Sequence, residues 1–114
     1  MKNKLRLVIN NKFYKKESFF VKKELQIILN LYAKKVSSGD WKDYGLSINK
    51  KEITFDIYQR ASEKPIYRIS KNLNPKNKTE KFYVLDRNGR VVKKSENLDN
   101  LINKIEWTKL KLVR

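Results

Sequence analysis

The sequence predicts an α+β domain: a helix, a four-stranded antiparallel meander and a C-terminal helix around one core, both helices on one sheet face. Three observations carry that expectation. Apolar residues recur at helical spacing across residues 22–38, at Leu25, Ile28, Leu29, Tyr32 and Val36. From Tyr44 the period falls to two and holds through three segments. Asn88-Gly89 then lies between two short runs, where it supplies the positive φ angles of a tight hairpin turn.

Taken in order, Leu5, Leu7 and Ile9 alternate with Arg6, Val8 and Asn10, which suits a short strand or an extended arm. Residues 12–18 are polar and basic and read as a linker. The first helix ends at Ser37-Ser38-Gly39, with Gly39 suited to the left-handed conformation after a helix. Tyr44, Leu46 and Ile48 share one strand face, and a polar turn follows over 49–52. Ile53, Phe55 and Ile57 alternate with Thr54, Asp56 and Tyr58. After a connection over 60–65, Tyr67 and Ile69 alternate with Ile66, Arg68 and Ser70. Residues 71–81 contain Pro75 and read as an exposed loop. The hairpin pairs 82–85 with 90–93, and Ser95 or Asn97 caps a second helix bearing Leu98, Leu101, Ile102 and Ile105. In the tail, Leu110 and Leu112 alternate with lysines, as in an edge strand. Residues 1–114 are thus one domain, with 1–18 readable as an extended basic arm.

Charge is the chain's outstanding chemical property. Lys and Arg number 28 against 12 Asp and Glu, a net charge of +16 on 114 residues. A potential of that sign attracts polyanions, with nucleic acid first among them. The 22 lysines against 6 arginines are also what codons rich in A and T produce. That bias accounts less well for the excess of Lys over Glu. Aromatic residues reach 11%, so the chain does not have the composition of a disordered one.

The absence of His and Cys removes histidine-based triads, thiol chemistry and most zinc ligand sets. Asp40 and Asp43 lack further acidic neighbours and read as turn or capping residues, so no metal is expected. The three glycines are not spaced as a phosphate loop, and no cofactor is expected. Ser62-Glu63 has no histidine to complete a triad, and spacing neither supports nor excludes a Ser–Lys dyad. The chain reads as non-enzymatic. No stretch approaches the ~20 apolar residues of a membrane span, and the N-terminal apolar run is too short and interrupted for a signal peptide. A bacterial, cytoplasmic protein is the expectation.

Several of these segments together are similar to a small uncharacterised domain family of alphaproteobacteria. The resemblance rests on Gly39-Asp40-Trp41-Lys42-Asp43-Tyr44, on Phe55 through Glu63 with Arg60-Ala61-Ser62-Glu63, on Pro65-Ile66-Tyr67-Arg68-Ile69, and on Gly89-Arg90-Val91-Val92-Lys93. It covers about two thirds of the chain, from Leu25 to Leu98. Val21 departs from it, since the family tends to place there an Asp that would cap the helix. The family is of unknown function, so the resemblance implies kinship of fold and lends no activity to any residue.

The expected function is nucleic-acid binding, DNA or RNA, directed at the backbone with low sequence specificity. Arg60, Arg68, Arg87, Arg90, Lys93 and Lys94 are the candidates for phosphate contact, because arginine's planar fork matches a phosphate. Tyr58 and Phe82 are the candidates for stacking on bases from an outer sheet face. That face is expected to carry Tyr58, Arg60, Ile66, Arg68, Phe82 and Val84, with Tyr83 and Leu85 turned inward. The rival expectation is a protein-interaction module or homodimer that buries Ile66, Phe82 and Val84 of this face and meets an acidic partner. Trp41 is read as a core lid at the end of the first helix.

Overall fold

A computed structural model describes residues 18–60 and 64–107. Helix α1 (Lys22–Ser37) is followed by strands β1 (Asp43–Ile48), β2 (Glu52–Tyr58), β3 (Tyr67–Asn72), β4 (Phe82–Asp86) and β5 (Val91–Ser95). Helix α2 (Leu98–Asn103) follows, and residues 104–107 end the described chain. The strands form one antiparallel sheet in the order β1-β2-β3-β4-β5. It therefore has five strands rather than four, because both arms of the Asn88-Gly89 hairpin add to the three strands before them. The terminal segments expected as short strands lie outside the described residues.

Local chemistry explains the ends of the helices. Val21 occupies the cap of α1 in an extended conformation and has no side-chain acceptor to offer. Glu24 supplies the missing half by accepting the Val21 N–H at 2.8 Å, the reciprocal arm of a capping box. Gly39, at φ +85°, turns the chain out of α1. At α2 the cap is Asn97, whose side chain accepts the Asn100 N–H at 3.0 Å.

Antiparallel register sets which residues share a face. Ile53, Phe55 and Ile57 oppose Lys71, Ile69 and Tyr67, and Lys71 and Ile69 in turn oppose Phe82 and Val84. This inner face meets α1, where Tyr32 packs edge-on to Phe55 and Tyr44 at ring distances of 5.9 and 5.0 Å. Leu98, Leu101 and Ile102 of α2 join the same core cluster. Trp41 is buried there as the expected lid, edge-on to Trp107 at 5.5 Å, and Trp107 is edge-on to Tyr67 at 4.7 Å.

Two expectations about faces and one about the end of a strand are corrected. In β4 the inward residues are Phe82 and Val84, and Tyr83 and Leu85 point outward. All four are apolar, so the strand's own pattern carries no parity, and pairing with β3 decides it. In α1 the buried side is rotated from the expected stripe. Leu29 and Val36 are exposed, whereas Ile28 is buried and Ile27 and Leu31 pack on the core. The rotation brings Glu24 and Lys35 toward the sheet side, where each meets an opposite charge. Finally, β3 continues through Lys71 and Asn72, residues expected in the following loop. The Lys71 side chain is 1% exposed, and its Nζ donates to Glu24 Oε1 at 2.8 Å and to the Phe19 carbonyl at 3.1 Å.

Candidate nucleic-acid interface

The sheet register determines where the candidate residues go. Tyr58 and Arg60 lie at the end of β2, and Arg68 is the second residue of β3. Because Tyr67 pairs with Asp86 and Arg68 with Leu85, the β4–β5 turn lies at that same end. Arg87 and Arg90 belong to this turn. Three stretches separated in sequence thus bring Arg60, Arg68, Arg87 and Arg90 to one end of the sheet, and these are all the arginines among the described residues. Of the lysines, Lys42 and Lys64 lie at this end, but most others do not. Lys50, Lys51, Lys76, Lys78 and Lys81 lie toward the opposite end, and Lys22, Lys23 and Lys34 are on exposed sides of α1.

Between the β3 entry and the turn lies a cleft of about 320 Å³ lined by Lys64, Pro65, Arg68, Asp86, Arg87, Asn88 and Gly89. It unites two expected residues, Arg68 and Arg87, with Lys64, which nothing in the sequence distinguishes from the many other lysines. The carboxylates here are already engaged. Asp86 Oδ1 accepts the N–H groups of Asn88 at 2.9 Å and Arg90 at 3.0 Å, an arrangement that holds the turn. Asp56 Oδ1 accepts Arg68 Nε at 2.9 Å, and its other oxygen accepts Ser47 Oγ at 3.0 Å. Glu63, the partner expected for Arg60 or Arg68, lies outside the described residues.

Asp56 is almost fully buried on the outer face of β2, whereas the Arg68 side chain remains 46% exposed. The carboxylate grips only Nε. A guanidinium held by one nitrogen keeps its terminal nitrogens as donors in a fixed orientation, the form in which arginine meets a phosphate with least loss of rotamer freedom. The price is a partial neutralisation of its charge. The motif Arg68–Asp56–Ser47 is hidden in sequence because its members come from three strands.

The remaining candidates are dispersed. Lys93 and Lys94 are exposed on β5, opposite Val84 and Tyr83, and so on different faces. A register shift between Val84 and Leu85 leaves Val92 unmatched, and this bulge separates the two lysines from Arg90. Tyr58 is half-buried on the outer face at the arginine end. Phe82 is 3% exposed on the inner face, so stacking on a base is closed to it. Ile66 and Val84 are likewise in the core cluster, so the apolar set of the expected outer-face interface is already covered within one chain.

The outer face is polar instead. Thr54 and Ser70 hydroxyls are 2.9 Å apart, and the Tyr83 hydroxyl donates to Glu52 Oε1. Burial, then the bond to Glu52 and the repulsion from its charge, push the pKa of the Tyr83 hydroxyl up to about 12. A phenol whose folded pKa exceeds its unfolded value of 10.0 contributes stability below that value and loses it as pH rises toward the folded one. Unfolding free energy should therefore fall between about pH 10 and pH 12. Tyr83→Phe should flatten that fall relative to the parent chain, as read by denaturant titration at each pH. Equal slopes in the two proteins would refute the assignment.

Among the described residues no group of three or more acidic side chains is placed to hold a metal, and no helix is long and apolar enough to cross a membrane. A family model described as "Protein of unknown function (DUF2794)" matches residues 18–102. No curated protein and no solved structure matches the chain.

Proposed function

The chain belongs to the DUF2794 family of proteins of unknown function, and for this member we propose backbone-directed binding of nucleic acid through the arginine end of its sheet. The observation that carries the reading is the gathering of Arg60, Arg68, Arg87 and Arg90 at one end of the sheet, where a cleft is lined by Arg68, Arg87 and Lys64. Codon bias enriches lysine and gives no reason for arginines from three stretches to converge. The burial of Phe82 leaves Tyr58 as the one expected stacking residue on the surface, which favours phosphate contact over base contact. Low sequence specificity follows, since phosphates carry no sequence information.

The test is affinity for DNA and RNA oligonucleotides, single- and double-stranded, across a salt series. Binding should weaken linearly in log–log form, with a slope near −0.9 per phosphate neutralised on duplex DNA and about −0.7 on single strands. Arg68→Ala combined with Arg87→Ala should reduce the magnitude of that slope by about 1 for each phosphate left without its cation. Lys50→Ala with Lys51→Ala, at the opposite end, should change it little. Absence of binding at low salt, or equal reductions from both pairs of substitutions, would overturn the proposal.

A further inference from the structure

We propose that the free edge of β1 is a homodimer interface, at which two copies of the chain pair their β1 strands antiparallel into one continuous sheet. β1 is the first strand of the sheet, and among the described residues no strand lies beyond it. The N–H of Asn49 donates to the Glu52 carbonyl at 3.1 Å. With the observed register this assigns the inward backbone bonds to the odd-numbered residues of β1. The N–H and C=O groups of Tyr44, Leu46 and Ile48 consequently point outward, away from β2; Asp43 Oδ1 accepts the Tyr44 N–H at 2.8 Å, and Leu46 and Ile48 supply the donors for a new strand.

The same three residues carry exposed apolar side chains. Tyr44 is 44%, Leu46 43% and Ile48 60% exposed on the sheet face that bears α1. On α1, whose Tyr32 packs on Tyr44, Leu29 and Val36 are exposed as well. Proteins ordinarily blunt a sheet edge with lysine or proline. β1 has neither, in a chain with 28 cationic residues, whereas the opposite edge strand carries Lys93 and Lys94. Asp43, at its start, is the one charged residue within β1.

The pattern is self-complementary, which suits a second copy as the partner. A twofold axis through Leu46 places Leu46 opposite its own copy and Tyr44 opposite Ile48 of the second chain. Each apolar side chain then meets an apolar one on the same face, as an isologous contact requires. The twofold stands perpendicular to the sheet, so the two α1 helices lie on the same side, and the two arginine ends lie at opposite ends of the joined sheet.

Sedimentation equilibrium of the full chain at rising protein concentration tests this. The mass should climb from the 13.7 kDa of one chain toward twice that value. Because each copy carries +16, association should strengthen with salt as the mutual repulsion is screened. This sign is opposite to that expected for nucleic-acid binding, so either proposal can fail alone. Ile48→Lys, at the most exposed position, should weaken dimerisation by about tenfold or more while retaining a cooperative unfolding transition. Val91→Lys, on the other edge, should leave the dimer intact. A monomer at every concentration and salt would overturn the inference, as would a dimer that resists Ile48→Lys or is abolished by Val91→Lys.

Discussion

Glu24→Ala should lower the unfolding free energy by about 3–5 kcal/mol, the scale on which removing one member of a buried ion pair acts. The reason lies in Lys71, whose ammonium is inside the protein at 1% exposure and is held by the Glu24 carboxylate and the Phe19 carbonyl. Without the carboxylate, the buried ammonium loses the anion 2.8 Å away, one of the groups that offset its desolvation. The same oxygen of Glu24 also accepts the Val21 N–H, so the first turn of α1 is uncapped as well. Set against the ~5–15 kcal/mol that typically separates folded from unfolded states, such a loss endangers folding itself. Denaturant unfolding would measure it. Glu24→Leu with Lys71→Met, which removes both charges together, should restore most of the stability, because neither charge is left buried without the other. A loss under about 1 kcal/mol for Glu24→Ala would show that the remaining partners of Lys71 compensate its charge without the carboxylate.

Trp41→Ala should cost about 3–5 kcal/mol, the range for deleting a large buried aromatic side chain. Trp41 follows α1 directly, yet its ring reaches Tyr32 at 6.2 Å and Trp107 at 5.5 Å. It therefore fastens the connection between α1 and β1 to the segment after α2. Trp107 is held in turn by its indole N–H, which donates to the Ile102 carbonyl at 3.1 Å. Removing the Trp41 ring opens a cavity between elements distant in sequence, so the remaining Trp107 should show red-shifted fluorescence as water reaches it. A nearly unchanged unfolding midpoint, with unshifted emission, would show that the ring is dispensable.

The parts of the fold that are legible from sequence are those whose signals are local. The helical period before Gly39, the alternation after Tyr44 and the Asn88-Gly89 turn each depend on a few neighbouring residues, and each recurs in the structure. The capping of α2 by Asn97 rests on the same kind of signal. The departure at Val21 is also visible, although its remedy by Glu24 is not. Glu24 looks like any exposed helical carboxylate until Lys71, 47 residues away, is brought against it.

Of the candidate interface, the arginines are nameable in advance, since they are scarce among so many cations. Their convergence is not, nor is the role of Asp56 in holding Arg68 across two strands. Phe82 falls on the wrong face in the sequence reading for a definite reason. Four consecutive apolar residues in β4 fit either face, and the choice belongs to pairing across the connection between Asn72 and Phe82. Lys71 deceives because a lysine next to a loop is ordinarily wet.

By itself, the chain determined its α+β class, most of its element positions, its excess of positive charge and the want of His and Cys chemistry. These follow from composition, side-chain periodicity and turn stereochemistry, which act within a few residues. Only the tertiary structure decided which face of β4 is inside, how α1 is rotated, and that arginines from three stretches meet at one end. Those outcomes depend on strand register and on charge pairs closed over long loops, and no short window of sequence contains both partners.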